Sequence, residues 1–321
     1  MSCALTIIEA HGATLAKRWQ PDGTCRPYDN ARTVTLHPEP VADLAALADL
    51  LRVLAPVARC CIVRGEPIDP ARMVRVRRLL HSDPDTGEAA TLREVPRRWV
   101  SIDVDSVPVP AGTDLHDLAA CARAVVPRLP HAFRDVAGIV TATASHGIKP
   151  GVRLRLWYWL SRPTTGAELG QWFEGCPIDP ATFRTVQPNY TAAPIFAGGM
   201  ADPLPSRLAM VPGAQAMARV PAASLLRPVR VVRAALASAG ADASGRFAGL
   251  VRTVRNAPEG ERHRALFWAA CRAGEMIREG GGIGDEAAAE ALASAAMDGG
   301  GKDRKNAEAT ARGGISRGKG N

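Results

Sequence analysis

The chain has 321 residues, of which 46% are hydrophobic, and its 40 Lys and Arg against 32 Asp and Glu give a formal net charge of +8. This length exceeds the usual size of one domain, so two modules are expected. No stretch approaches the roughly 20 uninterrupted apolar residues that span a bilayer, and the first thirty residues lack an apolar signal core, which predicts a cytoplasmic protein without a membrane partner.

Charge, cysteine usage and missing motifs narrow the function classes. A basic surface attracts phosphate backbones at long range, so the charge favours a polyanionic partner. The seven cysteines form no CxxC pair and lie near no histidine at zinc-finger spacing, which is typical of reduced thiols. The chain has no GxxxxGK[ST], GxGxxG, GxSxG or HExxH, so ATP-driven helicase, dinucleotide-binding, esterase and zinc-protease functions have no support.

The first hundred residues predict a helix and two strands. Residues 41–54 place apolar side chains at helical spacing, and the apolar run 59–64 that follows is typical of a strand. A polar loop with proline and glycine covers 81–98. The segment WVSIDVDSV after it alternates, so that Asp103 and Asp105 lie on one face of a strand.

The spacing of these two aspartates is compatible with metal chemistry. Side chains two residues apart on a strand project about 6.6 to 7 Å apart, close enough to share a divalent cation. Mg²⁺ prefers oxygen ligands and keeps substrate phosphates among them. Two acidic residues on the solvated face of a strand are the alternative, which is the commoner meaning of a DxD motif alone.

The middle of the chain predicts a helix and two more strands. Thr113 is a candidate N-cap for a helix that ends near residue 126, and the small, β-prone residues 138–144 predict a strand. Residues 152–160 alternate between apolar side chains and a face that carries Arg153 and Arg155.

A cluster of cationic and hydrogen-bonding residues accompanies that strand. Ser145, His146 and Lys149 precede it, and Arg153 and Arg155 lie on it. Such groups beside an acidic metal site suit an incoming triphosphate, whose charge is neutralised during phosphoryl transfer. His146 is equally explained as a polar residue in a glycine turn. Arg155, in the middle of an apolar strand, is costly unless it faces a cleft or an anion.

A third carboxylate, Asp179, stands between Ile178 and Pro180. It would complete a metal site if a neighbouring element brought it beside Asp103 and Asp105. Asp followed by Pro is also a common helix start, with the aspartate as the N-cap.

The last third of the chain predicts a short strand-containing segment, a linker and helices. Thr165 to Glu168 forms a capping box, and strands are expected near 192–196 and 207–211. Helical periodicity covers 261–279 and 285–297. The basic, glycine-rich end fits either a disordered tail or a docked final helix.

Taken in chain order, several segments resemble the primase-polymerases of phages and plasmids within the archaeo-eukaryotic primase superfamily. They are WVSIDVDS, TASHGI, RLRLWYWLSRP, IDPATFRTVQPNYTAAPIF and GERHRALFWAACRAGEMI, and the resemblance spans roughly residues 90–300. Its strength lies in the ordered set of segments.

The resemblance implies an α+β fold. Residues 1–212 would form the catalytic domain, with an RRM-like sheet and an N-terminal αβ layer over 1–90. A linker over 213–248 would lead to a small all-helical primase C-terminal domain over 249–300, and a basic, flexible tail over 301–321 would follow.

The function implied is that of a DNA primase and polymerase, a nucleotidyltransferase encoded by a phage or mobile element in a bacterial cell. Two Mg²⁺ or Mn²⁺ ions would be held by Asp103, Asp105 and Asp179, which are also the catalytic residues. The nucleotide-binding residues would be Ser145, His146, Lys149, Arg153 and Arg155. Partners would be a single-stranded DNA template, an NTP or dNTP, and a separate replicative helicase.

Two residues depart from the family pattern. Arg155 stands where a histidine is usual, and His263 stands where asparagine is expected. Arginine binds phosphate but does not exchange protons near neutral pH. The alternative function is therefore a replication initiator or DNA-binding protein that keeps the primase fold and has weak or no catalysis. A DxD-dependent glycosyltransferase is a more distant alternative, which leaves the basic charge and Asp179 unexplained.

Overall fold

The computed structural model describes residues 4–83, 85–223, 243–258, 261–280, 283–301 and 303–320. The chain divides into two compact units, residues 1–229 and 230–321. The first unit combines β-sheets with helices and the second is all helical, which confirms the predicted α+β class with a helical C-terminal part. No helix of the described residues is both long and apolar enough to cross a membrane.

The first unit contains thirteen strands and three α-helices among the residues described. The strands are β1 (Ala4–Ala10), β2 (Arg18–Trp19), β3 (Cys25–Arg26), β4 (Val34–Pro40), β5 (Cys60–Val63), β6 (Glu66–Pro67), β7 (Leu92–Arg93), β8 (Arg97–Val107), β9 (Gly138–Ala142), β10 (Val152–Thr164), β11 (Asn189–Tyr190), β12 (Ile195–Phe196) and β13 (Leu208–Val211). The helices are α1 (Leu44–Leu54), α2 (Leu118–Val125) and α3 (Gly166–Trp172). Short 3-10 turns cover Val126–Arg128, His131–Phe133 and Pro180–Phe183.

Two four-stranded antiparallel sheets organise the first unit. The N-terminal sheet has the strand order β11-β5-β1-β4, and the central sheet has the order β13-β9-β10-β8. Two small sheets, β12-β2-β3 and β6-β7, flank them. The order in the central sheet places β10 between β9 and β8, so the strand with the arginines lies directly beside the strand with the aspartates.

Helix starts follow the available capping groups. Asp43 accepts a hydrogen bond from the Ala46 amide at 2.9 Å, so α1 begins later than the predicted residue 41. The predicted cap at Thr113 is wrong, because Thr113 donates to the Pro110 carbonyl in a turn and Asp117 caps α2 instead. The predicted capping box at Thr165 is confirmed at the start of α3.

The central sheet is buried on both faces, because alternate residues of β10 enter different cores. Leu154, Leu156 and Tyr158 join a core with α2 and α3. Trp157 and Trp159 face the other way and pack with α1 and the N-terminal sheet. Alternation puts Arg153 and Arg155 on this second face, just beyond the tryptophans, so the arginines lie where the contact between the two sheets ends.

The second unit consists of α4 (Ala243–Arg255), α5 (Arg262–Arg278), α6 (Asp285–Asp298) and α7 (Arg304–Lys319). Its core is rich in alanine, which lets helices approach closely. Helix α7 occupies the basic end of the chain, so a docked helix is found there rather than a disordered tail. Of the predicted linker 213–248, Gln215 and Ala218 accept hydrogen bonds from amides of the first unit, and residues 224–242 lie outside the described residues.

Candidate functional site

A cleft of about 270 Å³ opens on the face of the central sheet that carries the arginines. We call it the carboxylate cleft. It is lined by Lys17, Tyr28, Asp103, Val104, Asp105, Thr143, Ser145, Arg153, Arg155, Asp179, Thr182, Gln187, Pro188 and Tyr190. The structure therefore brings together all three predicted carboxylates and three of the five predicted nucleotide-binding residues.

Asp103 and Arg155 form the centre of the cleft. They are direct partners in the antiparallel register of β8 and β10, and Nη2 of Arg155 lies 3.2 Å from Oδ1 of Asp103. The contact is ionic and not a directed hydrogen bond, because Oδ1 has no hydrogen-bond donor among the described residues. The side chain of Arg155 is only 8% exposed, and its Nη1 donates to the Tyr190 carbonyl at 2.5 Å. The guanidinium is thus fixed at two of its nitrogens.

Asp105 and Arg153 form a second ion pair across the same two strands. Here the carboxylate is 69% exposed, whereas the arginine side chain is 16% exposed. Exposed ion pairs contribute roughly 0 to 1 kcal/mol, because water competes for both partners. The Asp105 carboxylate therefore holds Arg153 only weakly, although most of the arginine side chain is buried.

Asp179 lies beside Asp103 and also caps a turn. Its amide donates to the carbonyl of Asp103 at 3.0 Å, forming an isolated antiparallel bridge that places it beside β8. Its Oδ1 accepts from the Ala181 amide at 2.9 Å and caps the 3-10 turn Pro180–Phe183. One carboxylate oxygen of Asp179 is thus already engaged in holding this turn.

The three residues before β10 are not placed alike. Ser145 lines the carboxylate cleft, whereas His146 and Lys149 do not. His146 is fully buried, its Nε2 faces the Leu115 carbonyl at 2.8 Å, and its Nδ1 accepts from the Arg153 amide at 3.1 Å. Burial lowers the pKa of His146, so the ring stays neutral and holds Arg153 in position through the backbone. Lys149 is exposed, with its ammonium 5.9 Å from the Trp19 ring centre.

Sequence reasoning missed a pair of stacked tyrosines in the cleft wall. The rings of Tyr28 and Tyr190 are parallel to within 3°, with centroids 3.6 Å apart, and Nζ of Lys17 lies 5.3 Å from the Tyr28 centroid. Burial raises the pKa of Tyr28 to about 12. The positive charge of Arg155 lowers this pKa in part, and the negative charge of Asp103 adds to the rise. Tyr28 and Tyr190 are too far apart in the sequence for any local pattern to connect them. The one signal in the sequence is that tyrosine is rare, since these two are among only three in the chain.

Comparison with known proteins gives one distant relative. The chain is 27% identical over 215 residues to the putative replication origin binding protein of Escherichia phage T5. The chain is thus similar to a phage replication protein. The alignment covers 61% of this chain but only 22% of the phage protein. No family model and no solved structure matches the chain, so the resemblance to archaeo-eukaryotic primases stays a prediction.

Charge balance decides what this cleft is able to hold. Its three carboxylates face three cations, Lys17, Arg153 and Arg155, and two of the carboxylates contact arginines directly. Among the described residues no group of three or more His, Cys, Asp or Glu is placed to hold a metal ion. In this arrangement a divalent cation shared by the three aspartates would have to displace the arginines from Asp103 and Asp105. What the geometry offers is a set of guanidinium and ammonium donors suited to phosphate oxygens.

Proposed function

We propose that this chain is a DNA-binding replication protein of a phage or mobile element, and that its carboxylate cleft binds phosphate groups of nucleotides or DNA. The observation that carries the proposal is the similarity, over 61% of the chain, to a phage protein named for binding a replication origin. The net charge of +8 supports it, because association with DNA depends on cationic side chains that replace condensed counterions.

The two arginines of the cleft would contribute to phosphate binding in different ways. Arg155 is buried and anchored by the Tyr190 carbonyl, so it presents a pre-oriented group. Arg153 is held by an exposed carboxylate, and a phosphate group competes with that carboxylate for the guanidinium. Lys17 adds a third cation from a different part of the chain.

Fluorescence anisotropy with labelled single-stranded and duplex oligonucleotides tests the proposal. We expect the affinity to fall linearly with salt on a double logarithmic scale, because each neutralised phosphate releases counterions. The matched pair is Arg153→Gln against Arg93→Gln, whose arginine is exposed on β7 and pairs with Glu66. Equal affinity of both variants and the parent would remove the cleft from the DNA contact, and absence of binding at low salt would contradict the whole proposal.

A second candidate is template-directed nucleotide joining on single-stranded DNA, as in a primase-polymerase. The gathering of Asp103, Asp105 and Asp179 in one cleft favours it, and we propose with it an archaeo-eukaryotic primase fold for the first unit and a separate replicative helicase as partner. Mg²⁺ or Mn²⁺ is the cofactor such an activity needs. The arginines on Asp103 and Asp105 count against it, since a cation has to compete with them.

An incorporation assay separates the two candidates. Purified protein, a primed template and labelled nucleotides are incubated with Mg²⁺ or Mn²⁺, beside the Asp103→Asn and Asp105→Asn variants. Labelled product that both variants lose establishes the nucleotidyltransferase. DNA binding without product in either metal establishes the binding protein.

A further inference from the structure

A second cavity, of about 240 Å³, lies next to the carboxylate cleft and shares Tyr28, Thr143, Arg155 and Tyr190 with it. Its remaining walls come from the end of α1, from the end of β9 together with Ala144, from residues 191–193 and from residues 206–208. We call it the Thr191 pocket. The phosphate-binding role proposed for the cleft does not account for it, because Asp103, Asp105, Asp179 and Arg153 are not among its lining residues.

Two buried polar atoms at this pocket have no hydrogen-bond partner within the described part of the chain. They are Oγ1 of Thr191 and Nε of Arg155. A buried donor or acceptor without a partner loses its hydration and gains nothing in return, so native proteins rarely leave one unpaired. The arginine Nε only donates, whereas the threonine hydroxyl both donates and accepts. A group with at least one acceptor on its edge would give both atoms a partner.

The other walls include aromatic and apolar side chains, which an aromatic ring would contact well. The pocket is bounded by the parallel pair Tyr28 and Tyr190 and by the apolar side chains of Leu51 and Leu208. Its lining also includes Arg52 and Arg207, which are already paired with Asp49 and Asp202. Its volume is below the roughly 300 Å³ at which sites for drug-sized ligands begin. A purely apolar ligand would leave both polar atoms unpaired, and a bare anion would leave the apolar walls without a partner. A single aromatic ring system with a polar edge satisfies all of these walls.

We propose that the Thr191 pocket binds a nucleobase. The edge of the base accepts one hydrogen bond from Nε of Arg155, and Oγ1 of Thr191 donates a second hydrogen bond to that edge or accepts one from it. The inference rests on the proposed function, because a replication protein meets bases both in free nucleotides and in DNA. Guanine is the natural probe, since its O6 and N7 form an edge with two acceptors. Arg155 lines both cavities, so one side chain contacts the base in the Thr191 pocket and phosphates in the carboxylate cleft.

Binding of guanosine monophosphate to the full chain is the first arm of the test. Saturation-transfer NMR reports whether the guanine H8 proton contacts the protein, and calorimetry gives the Kd. We expect Thr191→Val to weaken binding about threefold to tenfold through the lost hydrogen bond. Ala192→Leu, which fills the pocket, should abolish transfer to H8. Thr253→Val, at an exposed position of α4, is the matched control and should bind as the parent does.

The second arm asks whether the base comes from DNA. Two otherwise identical oligodeoxythymidylates are compared, one with a single guanine and one with an abasic site in its place. If the pocket takes a base from DNA, the guanine oligonucleotide binds the parent more tightly, and Thr191→Val removes that difference. If the pocket takes free nucleotides, only the first arm responds to the variants. Inorganic phosphate, which lacks a base, should bind the parent and Thr191→Val equally.

The inference is overturned if H8 receives no saturation in the parent and the two oligonucleotides bind alike. Equal affinity of the parent, Thr191→Val and Ala192→Leu in both arms overturns it as well. These outcomes are distinct from failure of the proposed function. A parent chain that binds guanosine monophosphate through H8 but no oligonucleotide contradicts DNA binding and leaves the base site in place.

Discussion

At the scale of single residues, the cleft depends on one charge pair across two strands. The guanidinium of Arg155 is buried against Asp103, whose side chain is 23% exposed. Removing one partner of a largely buried pair leaves the other charge without compensation, which costs more free energy than the intact pair contributes. Replacing either Asp103 or Arg155 alone is therefore expected to destabilise the fold.

We expect Arg155→Ala to lower the free energy of unfolding by about 3 kcal/mol, because it leaves the Asp103 carboxylate without a cationic partner. The double variant Asp103→Ala, Arg155→Ala should lose less than the sum of the two single losses. Urea denaturation of the four proteins measures this coupling. If the two single losses add up to the loss of the double variant, the contact between Asp103 and Arg155 contributes nothing to the free energy of unfolding.

The buried His146 makes the stability of the fold depend on pH. Its pKa in the folded chain lies below the ordinary value of about 6.5, because burial disfavours the charged ring. The unfolded chain therefore takes up a proton below about pH 6.5 that the folded chain does not, and stability falls as the pH is lowered through this range. Unfolding free energies at pH 7.5 and 5.5 should differ less for His146→Gln than for the parent. His131→Gln, at an exposed position, should keep the parent's difference.

At the scale of elements, the crossing of α5 and α7 depends on glycine. A Cβ on Gly318 would lie 2.0 Å from the carbonyl oxygen of Cys271, and one on Gly274 would lie 2.2 Å from that of Ile315. Backbone atoms do not move aside as side-chain ends do, so these glycines set the distance between the two helices. The glycine-rich composition that made the end of the chain resemble a tail is what allows α7 to dock.

The matched pair Gly318→Ala and Gly313→Ala tests this packing within one helix. Nothing lies within 4 Å of a Cβ at Gly313, so its replacement should stabilise the helix by about 0.5 to 1 kcal/mol. Gly318→Ala should destabilise the helical unit by about 2 kcal/mol or more, since it separates two helices. Thermal unfolding followed by helical circular dichroism gives both shifts. Equal and small shifts would refute close packing at Gly318.

At the scale of the whole molecule, the two units have separate cores. Among the described residues, the core of the second unit is built from Phe247 to Ile315, and the three cores of the first unit are built from residues up to Val220. All residues that line the carboxylate cleft lie between Lys17 and Tyr190. Each unit therefore has the apolar contacts that a folding unit requires.

A chain that ends at residue 223 should fold and retain phosphate binding by the cleft. We expect its Kd for inorganic tripolyphosphate to lie within about threefold of the full chain's, because no cleft residue is removed. Calorimetry measures the Kd, and urea denaturation shows whether the shortened chain unfolds cooperatively. A folded fragment with a tenfold weaker Kd would show that residues after 223 contribute to the cleft.

The sequence by itself determined what depends on local periodicity. Alternation along β8 and β10 placed Asp103 with Asp105 and Arg153 with Arg155 on single faces, and helical spacing separated the C-terminal helices from the sheets. Only the tertiary structure decided that Arg155 lies opposite Asp103, that His146 is buried and that Tyr28 stacks on Tyr190. These contacts join residues up to 162 positions apart in the case of Tyr28 and Tyr190, and strand order, which local spacing does not encode, brings such residues together.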